Sequence, residues 1–346
     1  MPVKLGLGLT ALGSQLDLPL AQVRHAERLG FDIVWTAEAY GGDGLTPLAW
    51  LAGQTERIRL GTSVLPVAAR PPTTAAMSIN TLDALAGRGR AVLGLGVSGP
   101  QVVEGWFGQP WGKPARRMRD YVDIVRKVLR REEKLTSLSR DYPLPYQGPG
   151  AAGLGKPLKS ILHTNPDIPI LLGTGSDTMV RLTAEIADGW LTFGFTPGSM
   201  SRYGPLLEEG FRRAGGGKSL DDFEIVSGVE VEITDDIEAA WMRRKPQVAM
   251  LVGGMGHEQM NFHRDRMERA GFAGAAAEIQ EHFLRGAIED AIAAVPDEFV
   301  DDGALIGPLS RIEERFAAWR SSGVTSLTLY TDDFEAMEMV AALAAH

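Results

Sequence analysis

The chain has 346 residues, with 44 acidic against 35 basic ones for a formal charge of −9, and 44% of it is hydrophobic. That balance fits a folded globular protein, and an acidic chain without a basic block is not expected to bind nucleic acid. There is no cysteine, which removes disulfides, thiolate metal sites and cysteine nucleophiles. No apolar run approaches the ~20 residues of a membrane span, and Met1–Asp17 lacks the basic and apolar regions of a signal peptide, so a cytoplasmic enzyme acting on a small molecule is expected.

In chain order, a strand over 3–9 is followed by a helix striped by Leu20, Val23, Ala26 and Leu29. Gly30 stops that helix, and a strand follows over 32–37. Further strands read at 58–64 and 90–97, so the first four start at 3, 32, 58 and 90, the spacing of β–α units. Residues 134–167, rich in proline and glycine, form a long insertion before the fifth strand at 168–173. Strands at 189–194 and 223–233 come next, then a mostly helical excursion over 235–307. A helix carrying Leu309, Ile312, Phe316 and Trp319 leads through Gly323 to an eighth strand at 324–330. The strands are near-continuous apolar runs, as parallel strands covered on both sides are. Eight such units predict a (β/α)₈ TIM barrel, one domain over 1–346 with insertions before strands five and eight. Insertions of this length serve as lids, binding loops or cover for a subunit interface.

In such a barrel the chemistry sits at the C-terminal ends of the strands. Gly94-Leu95-Gly96-Val97-Ser98-Gly99 matches G-x-G-x-x-G after strand four, but Pro100 follows, and Asp120 lies inside an amphipathic helix rather than closing a strand. A glycine-lined ligand loop is therefore the better reading than a dinucleotide fingerprint. Gly173-Thr174-Gly175-Ser176 ends strand five just before a helix. It suits a phosphate group, or Ser176 and Asp177 merely cap the helix. Glu38, in Thr36-Ala37-Glu38-Ala39-Tyr40 after strand two, could move a proton or pair with an arginine. The six histidines show no metal spacing and no G-x-S-x-G occurs, so no metal is expected and hydrolase readings are weak.

These residues also carry a resemblance. Val3–Gly8, Arg28–Asp32, Thr36–Glu38, Ile58–Thr62 and Leu93–Pro100 resemble the luciferase-like monooxygenase superfamily. Glu104-Gly105-Trp106, Arg117–Tyr121, Thr183–Trp190 and Gly253–Gly256 are similar to its actinobacterial coenzyme F420-dependent branch. The resemblance implies a hydride exchanged between the deazaflavin C5 and a small organic substrate. It further implies a non-prolyl cis bond at Ser63–Val64 after Thr62, behind the ring, and a ribityl-phosphate side held by Gly96-Val97-Ser98 and Gly173-Thr174-Gly175-Ser176. Where sugar-phosphate dehydrogenases of the family carry Asp-His, this chain has Glu38-Ala39, so Glu38 or Tyr40 is expected as the proton donor, with Glu38 able to contact the ring as well. Arg70, Arg116, Lys156, Lys159 and Arg181 are candidates for an anionic cofactor tail. FMN with oxygen chemistry on the same fold is the alternative, and a non-catalytic F420-binding protein a third reading. The family's habit and the apolar stripes of 257–295 lead to the expectation of a homodimer.

Overall fold

The computed structural model describes residues 3–9, 17–163, 165–257 and 259–345, so most of the stretch before Asp17 lies outside the described residues. Eight parallel strands close on themselves: β1 (Lys4–Gly8), β2 (Ile33–Thr36), β3 (Arg59–Thr62), β4 (Ala91–Gly96), β5 (Ile170–Thr174), β6 (Gly189–Thr192), β7 (Glu224–Ile233) and β8 (Ser326–Tyr330). Each pairs with the next in sequence, and β8 also pairs with β1. Closure with helices outside makes this a (β/α)₈ barrel, as the spacing predicted.

The two-residue period of a strand sorts its side chains. On β2, Ile33 and Trp35 point inward and join Val92, Leu171, Leu191 and Val226 in a barrel-centre cluster. Val34 points outward into the larger core beneath the helices. Room for the Trp35 indole comes from its cross-strand neighbour Gly61, where a Cβ would stand 2.3 Å from Trp35 Cζ3. The outer layer follows the helical period: in Pro114–Arg130, Met118, Tyr121, Val122, Val125 and Leu129 are buried, and Arg131 ends the helix with φ 52°. At the N-terminal floor Arg59 bridges β2 and β7, pairing with Asp32 and reaching both Glu224 oxygens at 3.0 Å.

Two short strands escaped the sequence reading. Leu65–Pro66 rejoins the sheet beside Leu95 and Gly96 after a break at residues 63–64. Leu305–Gly307 pairs with Val231–Ile233, because ten-residue β7 overshoots the barrel and its projecting edge needs a partner. Between β7 and that strand, helices Ile237–Gly253, Phe262–Arg269, Ala273–Leu284, Ile288–Ala293 and Asp297–Asp301 fold over the C-terminal end. They enclose a small core of their own, with Ala249, Val252, Met267, Ala276, Ile279 and Val295. Much of the apolar stripe of 257–295 packs on itself here, while Met260, Phe262, Leu284 and Ile288 stay exposed. Segment 134–167 is irregular where described, with one isolated bridge, Ser137 to Leu144. Among the described residues no helix is long and apolar enough to cross a membrane, and no group of metal-ligating side chains forms.

Candidate functional site

The Ser63–Val64 peptide is cis. Ser63 N donates to Thr36 O at 2.6 Å and Glu38 N donates to Val64 O at 3.2 Å, so β2 holds this bulge from both sides. Val64 turns inward onto the barrel-centre cluster. The glycines of the neighbouring strands make that possible: a Cβ at Gly96 would lie 2.5 Å from Val64 Cγ2, and one at Gly173 2.7 Å from Val64 Cγ1. The Gly94–Gly99 motif therefore has a job inside the protein, because two strands leave side chains out where Val64 is seated. Gly94 is tighter still, with a Cβ position 1.8 Å from Thr62 O.

Several expected ligand residues are likewise engaged. Thr62 is fully buried, and its hydroxyl donates to Gly94 O at 2.9 Å and accepts from Gly94 N at 3.0 Å. Thr174 Oγ1 lies 2.9 Å from Thr183 Oγ1. Gly175 lies under Phe193, whose Cδ1 is 3.1 Å from the Cβ position. Ser176 caps the helix Asp177–Ile186, its hydroxyl accepting from Met179 N at 3.4 Å. Val97 packs on the main core and Ser98 adopts φ 60° at the loop's turn.

Glu38 sits in an ion pair just after β2. Its side chain is only 7% exposed, and both oxygens accept from Arg70 Nη2, at 3.0 and 2.7 Å, while Oε2 also accepts from Gly44 N at 3.0 Å. Tyr40 stands on the rim, half exposed, its hydroxyl 3.7 Å from Met255 Sδ and its ring 6.5 Å from Trp106. Of the basic candidates for an anionic tail, Arg70 is spent on Glu38, Arg116 on Asp141, Lys159 on Glu132 O and Arg181 on Glu209.

A cavity of about 300 Å³ opens over the C-terminal ends of β6, β7 and β8, with Ser63 of the bulge in its wall. Its floor is Leu191, Thr192, Val226 and Gly228, and its roof comes from the excursion through Gln247, Val248 and Leu251. Tyr330 enters from β8 because Gly8 and Gly228 flank its ring, with Cβ positions 2.3 and 2.8 Å from it. Glu230 lines the same space from the inward side of β7, with no hydrogen-bond partner among the described residues. Burial pushes its carboxyl up, Arg244 draws it back in part, and Glu232 adds to the rise. Burial, and then Glu230, push the Tyr330 phenol up to about 12. Both groups keep their protons more firmly than in water.

Arg266 completes the wall. Its side chain crosses Gly194, where a Cβ would meet Arg266 Nε at 2.4 Å, and its guanidinium lies 5.9 Å from the Phe193 ring centre and 5.1 Å from that of Phe299. Nearby His263 is pulled down to about 4 by burial and then by the Arg266 charge. None of Glu230, Tyr330, Arg266 and His263 was singled out from the sequence. His263 and Arg266 share one helix but lie far from Glu230 and Tyr330 in the chain, and only a charged residue at an inward position near the end of β7 gave a signal.

The fit of a flat heterocycle can be tested on orphaned atoms. Thr192, a residue of the cavity lining, has a buried hydroxyl without a partner among the described residues, so one polar contact is left unmade at the floor. The cavity lies at the small end of ligand sites, about 300 to 1,000 Å³, and its mixed lining, with Leu191 and Val226 beside Glu230 and Arg266, suits a ring with polar edges. At the helix Asp177–Ile186, Ser176 already caps one N–H, and Asp177 in the first turn pairs with Arg202 at 2.8 Å. The residues fit a ring better than they fit a phosphate.

Comparison with known proteins agrees with this architecture. The profile of the luciferase-like monooxygenase family matches residues 4–326. A Mycobacterium tuberculosis protein, provisionally assigned as a coenzyme F420-dependent oxidoreductase, is 46% identical over 343 residues, 99% of both chains. A 5,10-methylenetetrahydromethanopterin reductase of Archaeoglobus fulgidus is 28% identical over 88% of this chain and 86% of its own. In fold, the chain is similar to the coenzyme F420-dependent tetrahydromethanopterin reductase of Methanopyrus kandleri, with TM-score 0.79 and 23% identity over 99% and 98% of the two chains.

Proposed function

Since the chain belongs to the luciferase-like monooxygenase family, we propose that it is a coenzyme F420-dependent oxidoreductase acting on a small organic substrate. The observation that carries this reading is the 46% identity, along 99% of both chains, to the mycobacterial relative. When bound, F420 accepts or donates a hydride at the deazaflavin C5. Ser63, Val64 and Thr192 are positioned to hold the ring. Gly96, Val97 and Ser98, with Gly173, Thr174, Gly175 and Ser176, supply the loops beside it, mostly through backbone.

The protein's own part is to exclude water, orient the substrate and handle one proton. Val248 and Leu251 of the roof lay apolar side chains over the cavity. Glu230 faces that space, and the upward shift of its carboxyl favours its giving a proton as a substrate oxygen gains charge; Tyr330 lies beside it as a weaker acid. Glu38 is assigned here to bracing the bulge through Arg70 and Gly44, and Tyr40 to the rim.

Titration of the apoprotein with F420 and with FMN, followed by fluorescence, tests the reading. F420 should bind more tightly. Equal or tighter binding of FMN would move the protein to an FMN-dependent monooxygenase, and F420 binding without turnover over a broad substrate panel to a binding protein. Glu230→Gln should leave F420 affinity within a few fold and slow turnover by ~10²-fold. Equal slowing by Glu38→Gln with F420 affinity unchanged would return the proton to Glu38. A homodimer and a cytoplasmic location belong to the same proposal. The exposed Leu138, Leu154 and Ile161 of segment 134–167 offer the apolar surface for pairing.

A further inference from the structure

Arg266 is a half-buried guanidinium in the cavity wall that no carboxylate meets among the described residues. Among the described residues it has no hydrogen bond and no ion pair within 4 Å, although Glu230 lines the same space. Asp302 exerts some pull from a distance, and Arg269 opposes it. The other arginine of the wall, Arg244, differs: it donates to Glu232 at 2.7 Å and to Ala240 O at 2.9 Å.

The bland explanation is that Phe193 and Phe299 hold Arg266 by cation–π contact. That contact uses the face of the guanidinium, whereas its five N–H groups radiate from the edge. Stacking therefore fixes the plane and leaves the donors unspent. A half-buried guanidinium without a hydrogen-bond partner among the described residues has its donors free for a bound anion at the cavity wall. A planar fork held by stacking is also pre-organised for the two oxygens of a carboxylate. Glu230 lines the same cavity, and in its ionised form it weakens the binding of such a ligand.

We propose that this cavity takes an organic acid, with an apolar body under the roof of Val248 and Leu251 and a carboxylate on the edge of Arg266. The proposal rests on the oxidoreductase reading only in making that acid the hydride partner. The binding itself stands apart from it.

Benzoate and benzamide differ in charge but hardly in shape, and their binding by calorimetry to the full chain, with and without F420, is the test. Benzoate should bind the wild type at least about tenfold more tightly than benzamide. In Arg266→Met the preference should shrink to about twofold or less, and Arg266→Lys should keep part of it because charge remains without the fork. Equal binding of the two probes to the wild type overturns the proposal without any variant. So does a full preference for benzoate in folded Arg266→Met. Displacement of benzoate by F420 would overturn it too, by giving Arg266 to the cofactor. Failure of F420 to bind while the benzoate preference persists would remove the oxidoreductase reading and leave the acid site standing.

Discussion

The two insertions both lie between barrel units, but 235–307 is about twice as long as 134–167, and they fold on opposite principles. Residues 235–307 bury Ala249, Met267, Ala276 and Ile279 against one another and then sit on the barrel as a packed cap. Segment 134–167 has no such cluster, and Leu138, Leu154 and Ile161 are 104%, 85% and 93% exposed. The difference lies in periodicity: the first repeats apolar residues at helical spacing, whereas Pro143, Pro145, Pro149 and Pro157 interrupt the second. An insertion that makes its own core can form the wall of a cavity. One that cannot is left presenting apolar side chains outward.

The comparison breaks most visibly at Ile279, which is fully buried. Ile279→Ala should cost about 2–5 kcal/mol in thermal or denaturant unfolding, the range for deleting a core side chain. A loss below ~1 kcal/mol would mean that the cap has no packed centre.

A second test uses pH. His263 is held near 4 in the folded state, against 6.5 as its ordinary value. Between those values the unfolded chain binds more protons, so the stability tied to a neutral His263 is present above pH 6.5 and lost as pH falls toward 4. Wild type should therefore lose about 3 kcal/mol more than His263→Gln over that window. Parallel stability curves would show that water reaches the imidazole and that the cap is loosely seated.

The smallest effect is expected in the other insertion. Leu138→Ser and Ile161→Ser should each change monomer stability by no more than ~0.5 kcal/mol, since neither side chain is buried. Light scattering at micromolar concentration should nonetheless show less dimer in the double variant. An unchanged mass would remove this segment from the pairing surface.

The barrel was legible because its strands are apolar runs at even spacing, and all eight fall where the sequence placed them. The residue-level site was harder to read. Gly94, Gly96 and Gly173 read as a ligand loop, because glycine leaves the same mark whether a cofactor or a valine comes close. Glu38 read equally as an acid or as an arginine's partner, and its partner Arg70 had been set aside for a cofactor tail. Arg266, Glu230 and Tyr330 stand on separate elements, and nothing in their local sequence says that one cavity joins them. Glu230 came nearest to a visible signal, as a carboxylate two residues beyond Gly228 on the inward side of a barrel strand.

The seat of Val64 has a consequence for how this chain can vary. The methyls of residue 64 occupy space vacated on two different strands, so residues 64, 96 and 173 amount to one choice recorded at three sites. A larger residue at 96 or 173 alone collides with Val64, and a smaller one at 64 alone leaves a hole beneath the cavity floor. Gly96→Ala combined with Val64→Ala relieves the contact with Cγ2, so the pair is less harmful than the sum of its parts. Sequence change can move through this spot only in coordinated steps, and each step resets the height of the surface on which a ligand rests.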